Sequence, residues 1–170
     1  YLYFNGLIPE DVIPTVATDQ SLRSTGFKDK NGYEWFKSSG NLIIEIDSNI
    51  NFAGRKVILL VNGNLTIRSN INLTDGLGFF GTFVSGNISL NPAVTELEGI
   101  YLTDGTFNTN TGNKAFWARG SVASYGGVTL GRNLTNNSSP AETFEYGPDQ
   151  VRLFPEILSQ KKTKWVEVAP

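Results

Sequence analysis

Three tripeptides, Gly40-Asn41-Leu42, Gly63-Asn64-Leu65 and Gly86-Asn87-Ile88, stand 23 residues apart. A fixed interval of this size marks a solenoid, in which one repeat cannot bury its apolar face alone and stacks on its neighbours. After each Gly-Asn the apolar residues alternate: Leu42, Ile44 and Ile46, then Leu65 and Ile67, then Ile88 and Leu90. Period two describes a strand with one buried face. Because 23 is odd, the inward positions must pass from even to odd numbers and back, and they do. The register therefore stacks Leu42, Leu65 and Ile88 as one inward column, with Ile44, Ile67 and Leu90 as the next. The same interval links Val57 to Phe80, Val61 to Val84 and then Phe107, and Ile50 to Leu73, so a second and a third strand per coil stack as well.

These spacings predict an all-β chain, a right-handed parallel β-helix of about 23 residues per coil. Coils fall at 40–62, 63–85 and 86–119, the last swollen by the polar stretch Asn108 to Asn113. A shorter final coil begins at Gly120 and carries Val122, Val128 and Leu130, followed by an Asn- and Ser-rich loop over 131–140. The flanks lack the repeat. Residues 1–39, with Pro9, Pro14, a strand-like Tyr1 to Phe4 and the aromatics Tyr33, Trp35 and Phe36, read as an N-terminal cap. Residues 140–170, with Phe144, Tyr146, Phe154, Ile157, Leu158 and Trp165, read as a C-terminal cap or a flap along the coils, including one short helix around 149–160. A solenoid must close ends that otherwise expose apolar stack residues and unpaired strand edges. The whole of 1–170 is one domain.

Composition excludes much of enzyme chemistry. The 170 residues contain no His and no Cys, which removes Ser/His/Asp and Cys/His triads and the common zinc and haem ligand sets. A net charge of −2, with Lys161, Lys162 and Lys164 as the only dense basic cluster, gives no phosphate-tracking footprint, so nucleic acid is not an expected partner. The chain opens at Tyr1, has no Met, and carries no apolar run near the roughly 20 residues that span a bilayer; it reads as a mature or excised piece.

Only carboxylate chemistry remains. The outward positions of the first strand stack are Ile43 and Glu45, Thr66 and Arg68, and Ser89 and Asn91. They supply one carboxylate and one guanidinium, and Glu45 with Arg68 reads as a solvent-facing ion pair between neighbouring coils. Asp75 and Glu98, also 23 apart and placed in turns beside Gly76 and Gly99, are the calcium candidates, with solvated turn acids as the plainer reading. Phe79, Phe80 and Phe83 read as packing residues rather than a sugar-stacking row. Asn41, Asn64 and Asn87 read as a turn-stabilising asparagine ladder. No catalytic or cofactor-binding residue is assigned.

The stretch from Val84 to Leu102 (VSGNISLNPAVTELEGIYL), then Gly120-Ser-Val-Ala-Ser-Tyr125, Pro140-Ala-Glu-Thr-Phe-Glu-Tyr146 and Trp165-Val-Glu-Val-Ala-Pro170, resembles the β-helical C-terminal surface domains of bacterial exported proteins of type IV pilus or PilX-like loci. More loosely it is similar to polymer-forming bactofilin-like β-helices. The resemblance covers about residues 60–170. It implies an extracellular or cell-surface location and a non-enzymatic structural or adhesive role, with surface polymer or neighbouring subunits as partners and no catalytic residues. The alternative is a carbohydrate-binding or polysaccharide-degrading β-helix with a shallow carboxylate groove.

Overall fold

The computed structural model describes residues 1–45, 50–136 and 138–159. The readings placed on Ile46, Lys161, Lys162, Lys164 and Trp165, and on the side chain of Ile50, lie outside them. The chain opens with α1 (Leu2–Asn5), β1 (Thr15–Val16), α2 (Asp19–Leu22), β2 (Phe27–Lys28) and β3 (Tyr33–Ser38). Next come β4 (Leu42–Ile44), β5 (Ile50–Ala53), β6 (Lys56–Val61), β7 (Leu65–Ile67), β8 (Ile71–Leu73) and β9 (Phe79–Val84). The later coils hold β10 (Ile88–Leu90), β11 (Glu96–Thr103), β12 (Phe107–Asn108), β13 (Phe116–Ser124), β14 (Val128–Thr129) and β15 (Glu142–Tyr146), and α3 (Pro148–Arg152) and α4 (Glu156–Ser159) follow.

These strands form a parallel β-helix with three strand positions per coil. A side face runs β4, β7, β10, β12, β14 in parallel register. A front face stacks β3, β6, β9 and the second halves of β11 and β13. A rear face stacks β5, β8, the first halves of β11 and β13, and β15. The expected columns hold: Leu42 pairs with Leu65 and Leu65 with Ile88, and Ile44 pairs with Ile67 and Ile67 with Leu90. Val57 pairs with Phe80 and Val61 with Val84, also as expected.

The front strands are unbroken apolar runs, Val57 to Val61 and much of Phe79 to Val84, because both of their faces are covered. Val57, Leu59, Val61 and Phe80 point into the solenoid. There Phe52 stacks on Phe80 with ring centroids 4.8 Å apart. Ile58, Leu60, Phe79 and Phe83 point outward into a second apolar layer with Trp35, Leu7, Val12 and Leu158, against which Phe4, Leu153, Phe154 and Ile157 pack. The C-terminal helices are therefore a flap lying along the coils. Tyr33 Oη fixes the flap by donating to the Leu153 carbonyl at 2.7 Å.

Several boundaries differ from the sequence reading. The solenoid starts before residue 40, since Tyr33 to Ser38 pairs with Lys56 to Val61 at the full 23-residue interval. Residues 2–5 are helical, not extended. Ile50 pairs with Ile71, and a register shift between Asn51 and Ala53 brings Ala53, not Ile50, opposite Leu73. The stretch 86–119 is not one swollen coil. Ile88 pairs with Phe107 and Phe107 with Val128, intervals of 19 and 21 residues, so Phe107 belongs under Ile88 and Val84 meets Thr103 instead. The interval shortens because the turn 74–78 between β8 and β9 has no counterpart in β11, which rounds the same corner at the single residue Gly99. Gly99 and Gly120 both have φ +130, a conformation that L side chains rarely adopt. A Cβ on Gly120 would run into the Gly99 carbonyl. Gly120 thus sits inside β13 as the corner of a coil rather than opening a new one.

The asparagine ladder is present, with a different acceptor geometry from amide on amide. Asn41 Oδ1 accepts the Asn64 N–H at 2.8 Å and Asn64 Oδ1 accepts the Asn87 N–H at 2.8 Å. Asn87 Oδ1 accepts the Thr106 N–H at 2.8 Å, so the ladder outlives the last Gly-Asn pair. Each amide satisfies a corner N–H that the strand ladders leave over.

The two ends of the solenoid differ. At the N-terminal end β1 pairs with β3, and Ala17 and Leu22 join the interior apolar cluster. Thr18 caps α2 through a reciprocal capping box with Ser21. Arg55 locks this lid by donating to the Leu22 and Ser24 carbonyls at 2.8 Å each and to Glu34 at 2.6 Å. At the C-terminal end the last strands are the second half of β13, β14 and β15, and no further rung follows them among the described residues.

Candidate functional site

Two places gather chemistry or exposed apolar surface. The first is centred on Arg119, which β13 sets directly opposite Glu98 of β11. Its guanidinium meets Asp149 of α3 at 2.6 Å, Asp75 of the 74–78 turn at 3.4 Å and Glu98 at 3.7 Å. The Asp149 carboxylate also accepts the Gly76 N–H at 3.3 Å and Gln150 Nε2 at 3.2 Å, while Glu98 accepts the Leu73 N–H. Gln150, fully buried, donates to the Gly78 carbonyl at 2.9 Å.

Burial pushes the Glu98 carboxyl up, and the Leu73 N–H and the Arg119 charge offset this only in part, so it stands above its ordinary value. Burial also raises Asp149, but hydrogen bonds from Arg119, Gly76 and Gln150 and the Arg119 charge outweigh it and hold that carboxyl low. The calcium candidates Asp75 and Glu98 are thus brought together, around a guanidinium. Glu98 lies in a strand rather than in a turn, and Asp75 remains 82% exposed at its side chain. Among the described residues no group of three His, Cys, Asp or Glu is arranged to hold a metal ion. Arg119 and Asp149 carried no signal in the sequence, because the 21-residue step from Glu98 to Arg119 departs from the 23-residue repeat and Asp149 comes from the flap.

The expected surface pair is present on the side face: Arg68 Nη1 lies 2.8 Å from a Glu45 oxygen, with both side chains open to solvent. Between the flanking columns, Ile43, Thr66, Ser89, Asn108 and Thr129 form one outward column in register.

The second place is the open C-terminal end. In the side-face column Leu65, Ile88 and Phe107 are 0% exposed, whereas Val128, the last member, is 48% exposed. In the rear column Leu97 pairs with Ala118 and Ala118 with Phe144, and Phe144 is 45% exposed. Leu130 and Tyr146, at 56% and 68%, stand beside them. These side chains surround a hollow of ≈ 460 Å³ floored by Leu97, Tyr101 and Ala118, in which Arg119 and Glu145 are the charged members. Phe144 packs edge-on to Phe116 at 6.0 Å, and the Arg132 guanidinium lies over the same Phe116 ring at 5.7 Å. Concave, mostly apolar and rimmed by strand edges, this end is a candidate contact surface.

No helix of the described residues is long and apolar enough to cross a membrane. No protein-family model, curated protein or solved structure matches the chain.

Proposed function

We propose that this chain is a non-enzymatic structural or adhesive domain of an exported bacterial protein, displayed at the cell surface or along a pilus-like filament and working through contacts with neighbouring subunits or surface polymer. The observation that carries the reading is the asymmetry of the solenoid. Among the described residues the apolar interior is covered at one end by α2 and β1, whereas at the other Val128, Leu130, Phe144 and Tyr146 lie exposed around it beside the outer edges of β14 and β15, which supports a surface for association. The carboxylates that the fold does gather, Asp75, Glu98 and Asp149, converge on Arg119, which supports a structural role for them over a general acid and base pair. The location is supported by the resemblance of residues 60–170 to surface β-helices.

Antibody labelling of intact source cells tests location: labelling without permeabilisation is the expected result, and labelling only after permeabilisation contradicts it. Incubation with acidic and neutral polysaccharides tests the role. No new chain ends are expected, whereas cleavage that is lost in Asp149→Asn would establish the degrading alternative.

A further inference from the structure

Resting on the reading of the open end as an interaction surface, we propose that its partner is a second copy of this chain, the two solenoids meeting C-terminal end to C-terminal end about a two-fold axis. The opposite end is unfit to receive it. There Ala17 and Leu22 cover the apolar interior at 5% and 0% exposure, so only the outer edges of β1 and β4 remain, without the apolar cross-section that the C-terminal end presents. Contact between like ends closes on itself as an isologous dimer.

Area agrees with this occupant. At their observed exposures Val128, Leu130, Phe144 and Tyr146 offer on the order of 400 Å² of apolar surface, about the apolar share of the ~800 Å² that each partner contributes to a specific interface. Of the two charged members of the hollow, Arg119 is already held by Asp149, Asp75 and Glu98, which leaves the contact to the apolar side chains. Two-fold contact also sets the edges of β14 and β15 antiparallel to their copies, the geometry in which exposed edges pair across chains.

The test is the mass of the whole chain by light scattering on a sizing column, from about 1 to 200 μM. The expected result is a concentration-dependent species of twice the 18.6 kDa chain mass, with dissociation shifted at least tenfold to higher concentration by Leu130→Glu and by Val128→Glu. Circular dichroism and thermal melting of the variants, expected to match the parent at low concentration, separate lost contact from lost fold. A single-chain mass throughout, a dimer indifferent to both substitutions, or masses that grow beyond two chains would overturn the second-copy assignment. The underlying interaction reading fails separately if, besides a single-chain mass throughout, neither substitution alters binding of the chain to envelope polymer or to any purified surface subunit.

Discussion

Arg68 reaches Glu45 at 2.8 Å while 39% and 58% of the two side chains stay in solvent, whereas Arg119 reaches Asp149 at 2.6 Å with exposures of 15% and 11%. The first pair works in high dielectric and is screened by salt, so Glu45→Gln is expected to change unfolding free energy by less than about 1 kcal/mol in urea titrations. The second holds charges that water no longer serves. Arg119→Gln leaves Asp149 and Glu98 facing one another without their cation and is expected to cost about 2–4 kcal/mol. The pH dependence follows from the two carboxyls. The low Asp149 value means that its contribution is complete above the ordinary value of 3.8 and disappears as pH falls through the folded value. The raised Glu98 value acts oppositely, lowering stability as pH rises through it. Thermal melting of Asp149→Asn across acid pH is expected to lose the stabilisation that the parent gains on leaving strong acid. A parent and variant with parallel profiles would contradict the Arg119 assignment. Calcium is expected to leave the melting temperature unchanged, since the guanidinium already stands between Asp75 and Glu98. Of these residues, Glu45 and Arg68 were legible because they keep the 23-residue step. Arg119 was not, because its neighbour is set by a corner that had already shortened.

β6 and β9 show what a strand looks like when both of its faces are buried. Their alternating residues divide between the solenoid interior and the layer under α1, α3 and α4, so period-two patterning vanishes into continuous apolar runs. The 23-residue interval still located them, and it failed at the register shift between Asn51 and Ala53 and where turn 74–78 gives way to Gly99 and the step falls to 19. The pairing of Phe107 with Ile88 was invisible for that reason, and so was the division of 86–119 into separate coils. The flap is the element whose role is most open to measurement. Leu158 is 3% exposed within the outer layer, and Leu158→Ala is expected to cost about 2–4 kcal/mol. Removing both flap helices uncovers Ile58, Leu60, Phe79 and Phe83 together and is expected to give aggregation during heating. A chain shortened after Gly147 that stays soluble with an unchanged melting temperature would reduce the flap to a linker.

At the scale of the molecule, the repeat specifies a rod but not how its ends are treated. That depends on where the non-repeating flanks fold back, and their aromatics look alike in sequence. Residues 15–22 close one end, while the C-terminal helices turn back along the front face, and among the described residues nothing covers the last rung. Protection should therefore fall along the rod in one direction only. Hydrogen exchange read by mass spectrometry on the dilute, single-chain protein measures this directly. Amides of β6, β7 and β9 are expected to exchange slowest, those of β3 and β4 nearly as slowly beneath their lid, and those of β14 and β15 fastest of all the strands. Protection of β14 and β15 equal to that of β6 and β9 in single chains, or faster exchange at β3 and β4 than at β14 and β15, would contradict a solenoid closed at its N-terminal end and open at its C-terminal end.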